Sequence, residues 1–215
     1  MLNLVLDLDE TIINTMIADE TNIKQIESQE LCIGSFIINE NDENDKNDKN
    51  ISYYLVVFVR PNLYNFLKFL NKNFNLYIYT HAHIDYALNV INLICENIID
   101  INVKILQTRI LKNDIIQLKS LSTLKLSKED TLIIDDRIDV WEKEYHNNII
   151  QIEPYYAPHY LIDYKAENKL IYNKFNWKYN FDNSLLSLIV MLKSVNIYYN
   201  KYGISEIIQK LFIKN

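Results

Sequence analysis

Glycine is almost absent from this chain, with only Gly34 and Gly203 among its 215 residues. Gly-rich loops that bind phosphate or dinucleotides are therefore excluded. The two cysteines, Cys32 and Cys95, are too few for a disulfide framework and fit a reducing compartment. No apolar run approaches the roughly 20 residues of a membrane-spanning helix, and the first apolar run is too short for a signal peptide. We therefore expect a soluble, intracellular protein with no membrane partner.

Basic residues are the minority among the charges, since 22 lysines and arginines stand against 28 acidic residues and give a formal charge of −6. This balance argues against direct nucleic-acid binding. Hydrophobic residues make up 49%, which is enough for a buried core, and the length predicts a single domain over residues 1–215. The abundant Asn, Ile, Lys and Tyr have A/T-rich codons and indicate an A/T-rich genome, either cellular or viral.

Short apolar segments alternate with helical patterns along the chain. The predicted strands cover residues 2–8, 31–38, 51–59, 74–79, 103–107, 131–134 and 148–152. Helices are predicted to begin at Pro61, to cover 84–98, and to occur twice within 183–213. Residues 39–50 are only Asn, Asp, Glu and Lys, which predicts a flexible polar loop. The alternation predicts an α/β domain with a parallel sheet, whose ligands bind beyond the carboxyl ends of the strands.

Carboxylates follow two of the predicted strands at that edge of the sheet. Asp7 and Asp9 follow the first strand, Asp135 and Asp136 follow a later one, and Lys119 begins a short helix-like segment between them. Four carboxylates at one edge would repel one another unless a lysine or a divalent cation compensates their charge. Oxygen ligands of this kind suit Mg²⁺, which often binds through one or two carboxylates plus a phosphate. These residues predict a site for Mg²⁺ and phosphate.

The order of these polar residues resembles the haloacid dehalogenase superfamily. The residues are the run Asp7-Leu8-Asp9-Glu10-Thr11, then Thr80, Lys119 and the pair Asp135-Asp136. Four segments resemble more closely the phosphatases of the RNA polymerase II C-terminal domain: residues 59–63 (VRPNL), 78–87 (IYT…YA), 107–121 (QTR…KSL) and 133–141 (IIDDRIDVW). The resemblance covers residues 2–200. It implies a Rossmann-like parallel sheet, a β-hairpin flap within residues 20–58, and no large cap domain.

The resemblance also implies roles for individual residues. Asp7 is expected to be the nucleophile that forms an aspartyl-phosphate, and Asp9 the general acid and later the general base. Thr80 is expected to donate its hydroxyl to a phosphoryl oxygen, and Lys119 to stabilise the charge of the transition state. The implied Mg²⁺ ligands are Asp7, the backbone carbonyl of Asp9, Asp135 and, through water, Asp136.

Substrate contacts are implied for Thr11, Arg60 and Arg109. Thr11 is expected to orient the loop that carries Asp7 and Asp9, called the Asp loop below. The two arginines are expected to recognise phosphate or phosphopeptide, with a structural ion pair as the alternative for Arg109. His81 and His83 follow Thr80 where the family usually has smaller residues, which leaves their role open. Trp141 is interpreted as a packing residue.

Together these features predict a Mg²⁺-dependent phosphoserine/phosphothreonine protein phosphatase. The implied substrate is the C-terminal repeats of RNA polymerase II, which implies a nuclear protein, or a cytoplasmic one if a virus replicates there. One alternative is a related phosphatase for another phosphoprotein or for a nucleic-acid end. The other is a non-catalytic phosphopeptide-binding scaffold, against which the retention of Asp7 and Asp9 argues.

Overall fold

The computed structural model describes residues 1–40, 51–157, 182–199, 203–204 and 206–208. The strands are β1 (Asn3–Leu6), β2 (Ile13–Ala18), β3 (Cys32–Glu40), β4 (Ile51–Val59), β5 (Asn75–Tyr79), β6 (Val103–Gln107), β7 (Leu111–Lys112), β8 (Ile115–Ile116), β9 (Thr131–Asp135) and β10 (Ile149–Gln151). The α-helices are α1 (Ile23–Glu27), α2 (Leu63–Asn73), α3 (Ile84–Asn97) and α4 (Ser184–Tyr198), and a 3-10 helix spans Lys143–Asn148.

Five parallel strands form the central sheet in the order β10-β9-β1-β5-β6. The side chains of β1 and β9 are almost entirely buried, as expected for strands covered on both faces. Leu6 of β1 pairs in register with Ile134 of β9, so the next residues, Asp7 and Asp135, end neighbouring strands at one edge. The predicted α/β fold with a parallel sheet is confirmed.

A separate antiparallel sheet, in the order β2-β4-β3, forms the flap. Gly34 lies at a bulge in β3 with a φ of 136°, and a Cβ there would lie 3.0 Å from a methyl of Leu93 on α3. A residue without a side chain therefore lets the flap approach α3 closely. The predicted flap differs in two respects, because β2 precedes residue 20 and joins the sheet, while α1 interrupts the segment predicted as strand-rich.

Only α3, β6 and the short β7–β8 hairpin separate β5 from β9, and every residue of this stretch is described. The expected absence of a large cap domain at this position is therefore confirmed. Within the described ranges, no helix combines the length and the apolar character needed to cross a membrane.

Local backbone geometry changes two predicted helices. Asn62 has a φ of 70°, in the left-handed region that asparagine tolerates well, so α2 begins at Leu63 instead of Pro61. Lys119 does not begin a helix; it forms an isolated parallel bridge with Trp141, and a turn follows it. Residues 41–50 of the predicted polar loop and most residues of the predicted second C-terminal helix lie outside the described residues.

Candidate active site

A pocket of about 240 Å³ opens at the carboxyl ends of β1, β5 and β9. It brings together six residues that the sequence predicts for the site: Asp7, Asp9, Thr80, Lys119, Asp135 and Asp136. The lining is completed by Glu10, His81, Ala82, Arg137 and Val140. The edge of a parallel sheet where the strand order reverses is the usual ligand site of such folds.

Lys119 connects the two strand ends. Its Nζ donates hydrogen bonds to Asp7 Oδ1 at 2.6 Å and to Asp135 Oδ2 at 2.7 Å. The ammonium group also lies 5.5 Å from the ring centroid of Trp141. Burial alone would lower the pKa of Lys119, but the two carboxylates outweigh it and raise that pKa. Lys119 is therefore a charged lysine in an almost fully buried position.

The backbone holds Lys119 in this position. Its N–H donates to the carbonyl of Val140 at 2.8 Å, and its own carbonyl accepts from the N–H of Glu142 at 3.1 Å. These two bonds explain how a residue outside the main strands delivers its side chain to the sheet edge at a fixed place.

Trp141 contributes more than packing. Its indole Nε1 donates to Asp135 Oδ2 at 2.8 Å, and its ring meets Tyr79 edge-on, with centroids 5.5 Å apart. The N–H of Arg137 donates to the other oxygen, Oδ1 of Asp135, at 2.8 Å. Sequence reasoning assigned Trp141 to packing alone. The signal that could have revealed the contact was its position six residues after Asp135.

Three buried carboxylates form a cluster that fits a metal ion. Asp7, Asp135 and Asp136 each offer an oxygen, and these oxygens all lie within 4.8 Å of one another. Burial raises the pKa of Asp7 to about 8; the charge of Lys119 opposes this shift, and Asp135 adds to it. Burial and Asp135 likewise raise the pKa of Asp136. One lysine thus leaves negative charge uncompensated, and hard oxygen donors of this kind fit Mg²⁺.

Asp9 has a different partner from Asp7. The phenolic hydroxyl of Tyr86, in the first turn of α3, donates a short hydrogen bond to Asp9 Oδ1. Burial raises the pKa of Asp9, while hydrogen bonds from Tyr86 and Thr80 act in the opposite direction. One carboxylate of the pair thus contacts a cation and the other a neutral donor. Sequence reasoning placed Tyr86 in the family-like segment 78–87 and gave it no role; that segment was the signal that could have singled it out.

Thr80 directly follows β5 and is almost fully buried at the pocket wall. Its Oγ1 accepts a hydrogen bond from the N–H of Ala82 at 3.1 Å. An oxygen that accepts from a backbone amide keeps its own proton available for donation into the pocket.

Thr11 and Arg60 lie outside the pocket lining and contact each other. Arg60 is 2% exposed; its Nε donates to Asp182 Oδ2 at 2.7 Å and its Nη1 to the carbonyl of Thr11 at 3.0 Å. The guanidinium of Arg60 thus forms a buried ion pair with Asp182, and its role as a phosphate contact stays a prediction. Thr11 bonds Asp136 through its hydroxyl, as expected of a residue that orients the Asp loop, and its contact with substrate stays a prediction.

Three further residues were singled out near Thr80 and Lys119: Arg109, His81 and His83. Arg109 is exposed, and its N–H donates to the carbonyl of Ala82 at 3.4 Å, beside the pocket wall. His81 lines the pocket, and its buried Nε2 has no hydrogen-bond partner among the described residues. Burial and the charge of Lys119 lower the pKa of His81. His83 is exposed and caps α3 by accepting from the N–H of Asp85 at 3.4 Å.

Comparison with known proteins gives consistent matches. Residues 2–170 match the model of the family described as NLI interacting factor-like phosphatase. A curated relative from Schizosaccharomyces pombe, a phosphatase named for the C-terminal domain of RNA polymerase II, is 31% identical over 166 residues. This match covers 72% of the chain and 21% of the relative, so the chain spans about a fifth of that relative's length.

Two solved structures share the fold. Fcp1, described as an essential RNA polymerase II CTD phosphatase, has a TM-score of 0.68 at 20% identity, and the match covers 97% of this chain and 70% of Fcp1. A variant of fission yeast Fcp1 bound to beryllium fluoride has a TM-score of 0.67 at the same identity, with the same coverage of both chains. At this identity the likeness establishes the fold.

Proposed function

The chain belongs to the NLI interacting factor-like phosphatase family, and we propose from this membership that it is a Mg²⁺-dependent phosphoserine/phosphothreonine protein phosphatase. The observation that carries the proposal is the contrast between two aspartates at the end of β1. Asp7 contacts the ammonium group of Lys119 at 2.6 Å, whereas Asp9 contacts the neutral hydroxyl of Tyr86. Two carboxylates in environments that differ in this way are suited to different roles, nucleophile and proton donor.

The first step is transfer of the phosphoryl group to the protein. An oxygen of the Asp7 carboxylate attacks phosphorus in line, and the bond between phosphorus and the Ser or Thr oxygen breaks. Protonated Asp9 gives its proton to that leaving oxygen, which departs as a hydroxyl. The product of this step is an aspartyl-phosphate at Asp7 and a dephosphorylated protein segment.

Water completes the cycle in the second step. Asp9, now a carboxylate, takes a proton from water as the water oxygen attacks phosphorus. The bond between phosphorus and Asp7 breaks, inorganic phosphate leaves, and Asp7 is again a free carboxylate. Lys119 and the hydroxyl of Thr80 stabilise the charge on the phosphoryl oxygens in both steps.

Mg²⁺ would be held by Asp7, Asp135 and Asp136, with the backbone carbonyl of Asp9 as a further ligand. When bound, the ion offsets the repulsion between the Asp7 carboxylate and the incoming phosphate and stabilises the transition state. The raised pKa of Asp7 supports this assignment, because a cation in the cluster favours the ionised form that the nucleophile needs.

The proposed substrate is a phosphorylated segment of the C-terminal repeats of RNA polymerase II, in the nucleus. The relatives named above support it, since all three carry the C-terminal domain of RNA polymerase II in their names. The lack of a cap between β5 and β9 also favours a protein segment, because a cap would enclose a small metabolite. The assignment can be tested by comparing the rates of phosphate release from three substrates: phosphorylated heptad peptides, generic phosphopeptides and 3′-phosphorylated oligonucleotides. Equal rates on all three would contradict it.

Release of phosphate from p-nitrophenyl phosphate, with and without Mg²⁺, tests the activity itself. We expect turnover that requires Mg²⁺ and is abolished by Asp7→Asn, while Asp139→Asn retains it as an exposed-aspartate control. A wild-type protein that is folded, binds phosphopeptides and releases no phosphate would instead support the non-catalytic scaffold.

A further inference from the structure

Tyr86 contacts both the predicted general acid and the flap. Its hydroxyl donates to Asp9 Oδ1 and lies 3.4 Å from Thr15 Oγ1 on β2. Its ring packs edge-on against Phe36 of β3, with centroids 5.8 Å apart and an interplanar angle of 68°. A single side chain of α3 thus joins the Asp loop to two strands of the flap.

We propose that Tyr86 is a positioning residue for Asp9, which holds Oδ1 so that Oδ2 presents the proton to the leaving oxygen. This inference rests on the proposed function. A carboxylic acid has two oxygens, and proton transfer requires the protonated one to face the leaving group within hydrogen-bond reach. Because Tyr86 occupies Oδ1 as a donor, the proton of Asp9 resides on Oδ2.

The chemistry of the donor suits a group that cycles between two protonation states. A phenol hydroxyl can donate to a carboxylate oxygen and also to the carbonyl oxygen of the neutral acid. A lysine in the same place would favour the carboxylate alone, as Lys119 does for Asp7.

The flap supports this geometry from the other side. Phe36 restricts the Tyr86 ring, and Thr15 lies next to its hydroxyl, so the flap fixes the direction in which the hydroxyl points. Loss of the hydroxyl should therefore affect the proton transfer and leave the phenyl packing in place.

The dependence of kcat/KM on the leaving group measures proton donation directly. A series of aryl phosphates from p-nitrophenyl to phenyl phosphate needs progressively more help from a general acid. For Tyr86→Phe we expect kcat/KM to be little changed for p-nitrophenyl phosphate and to fall about tenfold or more for phenyl phosphate. Tyr64→Phe makes the same chemical change at an exposed position on α2 and should keep the wild-type dependence.

A double variant separates positioning from a merely structural effect. If Tyr86 acts through Asp9, then Tyr86→Phe should have no further effect on the leaving-group dependence in an Asp9→Asn background. Two results for Tyr86→Phe would overturn the inference: an equal loss of kcat/KM for every aryl phosphate, or the same leaving-group dependence as the wild type. In either case the proposed function would still stand if Asp7→Asn abolishes activity. A wild-type protein silent on every phosphate would overturn both.

Discussion

Thr11 and Asp136 bond each other twice across 125 residues of sequence. The Thr11 hydroxyl donates to Asp136 Oδ1 at 3.1 Å, and the N–H of Asp136 donates to Thr11 Oγ1 at 3.0 Å. Both residues are buried, so this pair fixes the Asp loop to the end of β9 and aims a predicted metal ligand. The threonine of the motif thus positions one carboxylate of the acidic cluster, that of Asp136.

Thr11→Val should test this link, because valine has a similar shape and no hydroxyl. The buried N–H of Asp136 would lose its partner, which should lower the free energy of unfolding by about 1–3 kcal/mol. The Mg²⁺ concentration required for half-maximal activity should also rise. Thr131→Val is the matched control, since the hydroxyl of that buried threonine makes a longer contact, at 3.4 Å, with Asp130. Equal effects of the two variants, measured by urea unfolding and Mg²⁺ titration, would contradict the special role of Thr11.

Lys119→Met should be severe for both stability and activity. It leaves the buried carboxylate of Asp135 and the buried carboxyl group of Asp7 without their cation, which should lower the free energy of unfolding by about 3–5 kcal/mol near neutral pH. Addition of Mg²⁺ should restore part of this stability and little activity, since the proposed contact of the lysine with the phosphoryl group would still be missing. Lys112→Met, at an exposed position in the β7–β8 hairpin, should change neither quantity. A stable and active Lys119→Met protein would show that this lysine is dispensable.

The raised pKa of Asp7 predicts how the metal-free protein responds to pH. The pKa is about 8 in the folded protein, while an unfolded aspartate titrates at about 3.9. The folded state therefore binds a proton that the unfolded state has released, so stability should fall as pH rises from about 4 to about 8. Urea unfolding with a chelator present should show this decline of stability with pH. Asp7→Asn should make the decline smaller, and near pH 8 it should be more stable than the wild type. A stability that rises across this range would contradict the assignment; Asp139→Asn serves as the control.

Mg²⁺ should reverse that pH dependence. The ion binds the ionised carboxylates, so its stabilisation of the folded state should be larger at the upper end of this pH range than at the lower end. Saturation at about 100 times the Kd should add about 2.7 kcal/mol to the free energy of unfolding. Asp135→Asn should abolish most of this gain, whereas Asp85→Asn, at an exposed position, should retain it. Thermal melts with and without Mg²⁺ measure the effect, and an identical shift in both variants would rule out the cluster as the binding site.

The ends of the strands could be predicted from the sequence, but few of the side-chain contacts between them could. Apolar runs that stop at Asp7, Thr80 and Asp135 were sufficient to predict the sheet and the residues at its edge, because strand burial and the acids that follow are local signals. Contacts such as Tyr86 with Asp9 and Arg60 with Asp182 join residues 77 and 122 positions apart, and no local pattern encodes such pairings. Likewise β2 was missed because its six residues, INTMIA, do not alternate cleanly between apolar and polar side chains.

Arg60 tests whether a contact seen in the structure or a role predicted from the sequence describes the residue better. As a phosphate contact it would affect KM, whereas the ion pair with Asp182 and the bond to the Thr11 carbonyl predict an effect on stability. Arg60→Met should lower the free energy of unfolding by about 3–5 kcal/mol, because it leaves Asp182 without its partner. The KM of the folded protein for a phosphopeptide should not change.

In Arg60→Met/Asp182→Leu part of the lost stability should return, since no unpaired charge is left. Arg109→Met is the opposite case, because this exposed residue beside the pocket should raise KM and leave the melting temperature unchanged. A several-fold rise of KM in Arg60→Met at unchanged stability would return Arg60 to the substrate site.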